Sequence, residues 1–293
     1  MEDKIKYCHV PLEGKSFFFD HVHIVWDEQI SFHQHAEWEL SYIVKGSGTR
    51  IVGDVAETFS QGEIVFIPPN IPHCWSFNEY DHDEEGKIEN ITIIFPGSLL
   101  ENCAGLFPEM ESCTSTIIQK KQAIKFEGQT LKALQKTMTA MVLQNDVEQV
   151  SSLFNLFYTI ASSNETRVAG HSIKQHKSTE KIQDIYRFVL NHYHRKVTLD
   201  DVAKFVGMNR SSFCTFFKRV KGKSFFTELN TFRVESSCQM LRETSLPISD
   251  ICFAVGFEDV PYYNRTFKKL KGETPTAYRK KQQRRGYYGK NRI

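Results

Sequence analysis

The last third of the chain contains one helical unit written twice. Residues 198–225 read TLDDVAKFVGMNRSSFCTFFKRVKGKSF, and residues 247–275 read PISDICFAVGFEDVPYYNRTFKKLKGETP. Gly207 matches Gly256 at a shift of 49 residues, and Phe217, Lys218 and Gly222 match Phe267, Lys268 and Gly272 at a shift of 50. Each copy predicts a short helix, a turn at glycine, and a longer helix closed by a second glycine, which is the order of a helix-turn-helix. In the first longer helix Phe213, Phe216, Phe217 and Val220 fall at i, i+3, i+4 and i+7, the spacing of one buried stripe. Ser211, Cys214, Thr215 and Lys218 are left on the opposite face. The second copy puts Tyr263, Phe267 and Leu270 inside, and Pro261, Asn264, Arg265 and Lys268 outside.

Two helices that present short polar and basic side chains outward suit a DNA major groove. Charge supports this reading. Residues 1–175 carry 13 Lys+Arg and 24 Asp+Glu, a net of −11; residues 176–293 carry 24 and 11, a net of +13. An acidic half joined to a basic half makes nucleic acid the partner of the second half only. The 293 residues are enough for two domains. Seven cysteines, an odd number without a C-x-x-C pair, fit reduced thiols, not a disulfide framework. Lacking a signal-peptide core and any apolar run of membrane-spanning length, the sequence predicts a soluble, cytoplasmic protein with no membrane partner.

The second copy resembles the DNA-binding region of the AraC/XylS family of bacterial transcription regulators. The resemblance is carried by Ile248, Ile251, the run Ala254 to Phe257, Tyr263, Arg265, the run Phe267 to Lys269, Gly272, Thr274, Pro275, Tyr278 and Arg279. The first copy matches through Leu199, Val202, Ala203, Gly207, Phe213, Phe217, Lys218 and Gly222. Two positions depart from the pattern: Cys252 stands where the family usually has alanine, and Pro261 lies early in the second recognition helix. Proline is tolerated in a first helical turn, but its side chain cannot hydrogen-bond a base. Ser211, Thr215, Asn264 and Arg265 are expected at base edges, and Lys218, Arg219, Lys268 and Lys269 at phosphates. Asn209, Arg210, Cys214, Asp259, Val260 and Tyr262 complete the expected DNA-facing set.

The first half reads as many short strands. Residues 16–26, 39–45, 49–52, 63–67, 72–77 and 88–95 are rich in β-branched and aromatic side chains and are separated by Gly, Pro and Asn turns. Such spacing predicts an antiparallel barrel or double-sheet jelly roll. His33-x-His35-x-x-x-Glu39, six further residues and Gly46 resemble the first cupin motif; Gly62, five residues, Pro68 and then His73 resemble the second. Asp27, Asn70 and Phe77 depart from those motifs. His33 and His35 share a strand face, and with Glu39 and His73 they make a donor set that suits Zn²⁺, Mn²⁺, Fe²⁺ or Ni²⁺. The same residues, with Tyr42 and Trp75, equally suit contact with a metal-free effector, or plain packing. His21 and His23 are read as packing, and Trp26 and Trp38 as core or stacking surfaces.

Residues 127–144 and 147–161 carry helical stripes, with a cap at Asn145. The family resemblance implies that this pair forms a dimer contact; packing on the barrel would bury the same stripe. Residues 164–178 read as a polar linker. The expected fold is therefore α+β in two domains. A cupin-like domain spans residues 1–163, with the barrel at about 1–118 and helices at about 122–161. An all-α domain with tandem helix-turn-helix units at about 198–221 and 247–271 spans 179–285, and a basic tail follows at 286–293. The function this implies is DNA-binding transcription regulation without catalysis, answering to a small metabolite such as a carbohydrate. The partners would be double-stranded DNA, the effector, a second copy of the chain and RNA polymerase. No cofactor is required, and a divalent metal in the barrel is optional. The competing reading is a metal-dependent cupin enzyme with a DNA-binding appendage.

Overall fold

A computed structural model describes residues 6–8, 10, 12, 14–27, 32–171 and 177–281. The chain divides near residue 175 into two compact units. Part of the expected linker, residues 172–176, and the expected basic tail lie outside the described residues.

Alternating apolar residues build the first unit as β1 (Lys6–Tyr7), β2 (Phe18–Val25), β3 (His33–Gln34), β4 (Trp38–Lys45), β5 (Gly48–Val52), β6 (Val55–Phe59), β7 (Ile64–Ile67), β8 (His73–Phe77) and β9 (Lys87–Phe95). There follow α1 (Gly97–Leu106), α2 (Glu111–Gln119), β10 (Gln122–Phe126), α3 (Gly128–Met141), α4 (Asp146–Ala161) and β11 (Thr166–His171). The strands form two sheets, ordered β1-β3-β8-β5-β6 and β11-β10-β7-β4-β9-β2. Apolar clusters join them face to face: Val52 packs with Val65 and Ile67, while Phe59 and Phe77 pack with Ile43 and Ile88. This is the double-sheet form of the expected cupin-like domain.

The six-stranded sheet is covered on both faces, so β4 is buried without interruption from Trp38 to Ile43. Its alternation sends Trp38, Leu40 and Tyr42 to one face, where they pack with Leu134, Met138, Leu153 and Phe157 of α3 and α4. Glu39, Ser41 and Ile43 take the other face, between the sheets. Asn145 caps α4 through a reciprocal box with Glu148, a contribution of about 1 kcal/mol. Each buried large side chain in its stripe contributes roughly 1.5–3 kcal/mol. The stripe, more than the cap, therefore fixes the helix on the sheet.

Several expectations need correction. Residues 122–126, expected to be helical, are β10, and residues 166–171, expected to lie in the linker, are β11, its antiparallel neighbour. Small residues carry β11's buried part, Ala169 and Gly170, so its alternation is nearly invisible beside its charged neighbours. Helices α1 and α2 arise in a stretch without clear pattern because each buries only two side chains: Leu100 and Cys103 in one, Thr114 and Ile117 in the other.

The second unit is all-helical: α5 (Lys177–His192), α6 (Leu199–Phe205), α7 (Arg210–Lys221), α8 (Phe225–Glu243), α9 (Ile248–Ala254) and α10 (Val260–Lys271), with a further helical stretch at 275–281. The long helix α8 joins the two repeats. Its Val234, Cys238 and Leu241 form one core with Ile251, Cys252, Tyr263 and Phe267 of the second copy. Phe225 at its start packs edge-on against Phe213 and Phe217 of the first, at centroid distances of 5.4 and 5.7 Å. Arg233, buried in α8, donates to the carbonyls of Tyr193 (2.8 Å) and Arg195 (2.7 Å) and lies over the Phe257 ring. One guanidinium thus ties the end of α5 to the turn of the second copy.

Val220 and Leu270, expected inside, are exposed by 42% and 39%. They are equivalent positions in the last turn of each longer helix, where the packed part of the stripe has already ended. Phe226 is also exposed, because its neighbour Phe225 takes the buried place at the start of α8.

Candidate functional site

Two regions carry chemistry, one in each unit. In the first, the parallel register that brings β3 against β1 also pairs His33 with His73 across β3 and β8. Glu39 enters from β4 in the opposite sheet, and His35 from the end of β3. All four side chains are buried, and their potential ligand atoms lie within 4.8 Å of one another. The ring centroids of His33 and His73 are 4.4 Å apart, those of His35 and His73 5.1 Å.

Hydrogen bonding orients two of the rings. His73 Nδ1 lies 2.8 Å from the Ile71 carbonyl and His35 Nδ1 3.2 Å from that of Glu37. A carbonyl oxygen only accepts, so both Nδ1 atoms act as donors. Both Nε2 atoms then face the same Glu39 oxygen, at 2.9 Å from His35 and 3.1 Å from His73. Neutral rings would oppose their lone pairs to a carboxylate, so either extra protons or a shared cation must sit there. Carbonyl-anchored imidazoles aimed with Nε2 at one point, plus a carboxylate, are what a divalent metal uses. The donor set fits such an ion. Burial works to raise the Glu39 carboxyl, but the charge of His73 and hydrogen bonds from His35 and His73 hold it well below the usual carboxylate range. Burial likewise opposes charge on His73, yet Glu39 outweighs it and raises that imidazole's pKa.

A cavity of about 150 Å³ opens beside the quartet. It is walled by His33, Glu39, Trp75 and Phe77, by Phe18, Val22, Ile24, Ile88 and Ile94, and by four polar residues, Asp20, Ser41, Asn90 and Thr92. Trp75 lines this cavity, edge-on to His73 at 5.6 Å. Tyr42 does not: it alternates with Ser41 and faces the helices, hydrogen-bonded to Thr139. Trp38 shares that face, and Trp26 packs in the intersheet core. The four polar wall residues escaped the sequence reading. Asp20 breaks the otherwise apolar face of β2 made by Phe18, Val22 and Ile24, which is a weak signal; Asn90 and Thr92 resemble ordinary strand polarity.

In the second unit, Asn209, Arg210, Ser211, Cys214, Thr215, Lys218 and Arg219 are all exposed on α7, and Asp259, Tyr262, Arg265, Lys268 and Lys269 on α10. Asn264 is half-buried. The side chains of Asn209 and Asp259 are committed to capping, accepting from the backbone N–H of Ser212 and Tyr262 at 2.8 Å each. Val260 packs partly against the hydrophobic core, which withdraws it from the outward face. The Tyr262 hydroxyl accepts from Asn230 of α8 at 2.9 Å. Pro261 occupies the first helical turn, where its missing N–H costs nothing.

Comparison with known proteins agrees with both regions. Residues 202–281 match a helix-turn-helix domain family, and residues 21–84 a cupin domain family. The HTH-type transcriptional regulator YdeC of Bacillus subtilis (strain 168) is 29% identical over 108 residues, 37% of this chain and 36% of YdeC; the chain thus covers about a third of that relative's length. The Msm operon regulatory protein of Streptococcus mutans serotype c is 22% identical over 82% of this chain and 83% of its own. The raffinose operon transcriptional regulatory protein RafR of Pediococcus pentosaceus is 24% identical over 82% and 84%. The chain thus joins a doubled, basic helix-turn-helix of AraC type to a cupin domain, and it is similar along most of its length to operon transcription regulators.

Proposed function

We propose that the chain controls transcription by reading two successive major-groove faces of DNA with α7 and α10, under the control of a small-molecule effector held between the sheets of the first unit. The observation that carries the DNA half is the doubled, basic, solvent-exposed helix face, in a half of the chain with a net charge of +13. Lys218, Arg219, Lys268 and Lys269 neutralise phosphates, and Ser211, Thr215, Asn264 and Arg265 meet base edges. Arg265 is exposed on α10, and an arginine there can pair bidentately with guanine, worth roughly 1–3 kcal/mol of discrimination. The test is Arg265→Ala in the full chain, with affinities measured by fluorescence anisotropy on a site selected from random DNA and on scrambled DNA. Binding to the selected site should fall by about tenfold or more, with little change on scrambled DNA. Equal losses on both would reduce Arg265 to a phosphate contact.

The effector half rests on the cavity and on the similarity to RafR, the regulatory protein of a raffinose operon. A divalent ion in this site would be held by His33, His35, Glu39 and His73, and would supply a fixed positive charge for an oxygen donor. Binding shifts regulation only where the effector has different affinity for two arrangements of the molecule. A second copy of the chain pairs through the exposed apolar residues around the α3–α4 connection and along α4: Leu143, Val147 and Tyr158, exposed by 93%, 79% and 66%. RNA polymerase is the further partner, and the cytoplasm the site of action. No helix among the described residues is long and apolar enough to cross a membrane. The quartet also leaves open catalysis by a metal-dependent cupin. Metal analysis followed by His33→Ala separates the two, since loss of metal together with loss of effector response makes the site a sensor.

A further inference from the structure

Between α8 and α10 runs a trough of two adjoining hollows, about 440 and 320 Å³, that share Phe226, Asn230, Tyr262 and Arg265. Tyr262 is exposed by 45% yet held at both ends. Its ring stands edge-on to Phe257 at 6.0 Å, and its hydroxyl lies 2.9 Å from Asn230 Nδ2. Phe257 in turn carries the Arg233 guanidinium, which the carbonyls of Tyr193 and Arg195 fix. An amide N–H only donates, so the Tyr262 oxygen accepts from Asn230 and its own proton is left to donate. Among the described residues no acceptor receives it. The acids beside it are committed elsewhere: Asp259 caps α10, accepting from the Tyr262 N–H at 2.8 Å, and Glu258 pairs with Lys196 at 3.3 Å. Arg265 and Lys269, at i+3 and i+7 from Tyr262 on the same helix face, also line the trough.

We propose that Tyr262 is an uncharged donor to a DNA phosphate and that Asn230 is the positioning residue that aims it. The inference rests on the DNA reading above and assigns one contact within it. A phosphate oxygen only accepts and carries negative charge, which matches an outward O–H flanked by Arg265 and Lys269 with its neighbouring carboxylates occupied. Position in the groove excludes a base edge. Base edges form the floor of a major groove and phosphates its walls, and Asn230 draws the hydroxyl back from the crest of α10 towards α8, where the wall passes. Seated there, the contact sets how far α10 enters the groove, and hence whether Arg265 reaches its base. An uncharged phenol releases no counterion from DNA, so this contact adds affinity without adding salt dependence. The lysines of the same face do both.

The experiment uses the full-length chain, with fluorescence anisotropy on the selected site and on scrambled DNA over a series of salt concentrations. Tyr262→Phe keeps the ring against Phe257 and removes only the hydroxyl; thermal melting checks that the fold is kept. It should weaken binding to both DNAs by about tenfold, with the slope of log K against log salt unchanged. Asn230→Ala should cost about threefold or more. The double variant should lose no more than Tyr262→Phe alone, because the two side chains make one contact. The phosphate itself is found by replacing single phosphates of the selected site with methylphosphonate. At one of them the native chain should lose distinctly more affinity than Tyr262→Phe does. A loss confined to the selected site, a changed salt slope, full affinity in either single variant, additive losses in the double variant, or additivity at every phosphate would each overturn the proposal. Failure of the underlying DNA reading registers separately, as a native chain that binds neither DNA.

Discussion

Cys214, Cys238 and Cys252 show how one residue type takes different chemistry from its surroundings. Cys238 and Cys252 are buried in the second unit's core, and burial pushes each thiol up to about 11. Near neutral pH almost no thiolate forms there, so both are inert packing groups. That also accounts for Cys252 in a position where the family usually has alanine: in this site it behaves as a small apolar side chain. Cys214 is exposed on the outward face of α7. Alkylation with iodoacetamide, mapped by peptide mass spectrometry, should modify Cys214 in the native chain well before Cys238 or Cys252, which should react only after denaturation. Saturating DNA should protect Cys214 selectively. Unchanged labelling of Cys214 in the complex would remove α7 from the groove.

The two turns of the repeated element look alike in sequence and differ in what they demand. Gly207 and Gly256 both have positive φ, +63° and +86°, a conformation that costs other L-residues about 1–2 kcal/mol. Nothing lies within 4 Å of a Cβ placed on Gly207, so its glycine answers to backbone conformation alone. A Cβ on Gly256 would collide with the Tyr193 carbonyl oxygen and press on the Arg233 guanidinium, both parts of the junction between α5, α8 and the second turn. Gly207→Ala should therefore cost about 1–2 kcal/mol in urea unfolding. Gly256→Ala should exceed it by about 2 kcal/mol or more, because the clash is with backbone. DNA affinity should fall more in the second variant. Equal costs would mean that the junction yields easily.

Across the whole molecule, the separation of charge sets how binding answers to salt. The four phosphate-facing cations Lys218, Arg219, Lys268 and Lys269 are all exposed. Each phosphate neutralised contributes about −0.9 to the slope of log K against log salt. Together these four account for a slope of about −3.6. Lys268→Ala should weaken binding to selected and random DNA alike and flatten the slope by about 0.9. An unchanged slope would place Lys268 away from the phosphates.

The sequence by itself determined the second unit almost completely, because its information is local. Helical stripes, glycine stops and a repeat fall within windows of a few turns, and the longer helix of each copy, α7 and α10, ends at the glycine the pattern marks, Gly222 and Gly272. Motif spacing also exposed the quartet, although His73 lies 34 residues beyond Glu39. Only the tertiary structure decided which side chains share the cavity. Strand alternation turned Tyr42 toward the helices, and register aligned Asp20 with Thr92 and Ser41 across three strands that are far apart in sequence. Pairing likewise made a strand of residues 166–171, whose small side chains carry little pattern of their own. Helices are specified by neighbours along the chain, but the wall of a sheet is specified by neighbours across it, and those are set only once the strands have found their register.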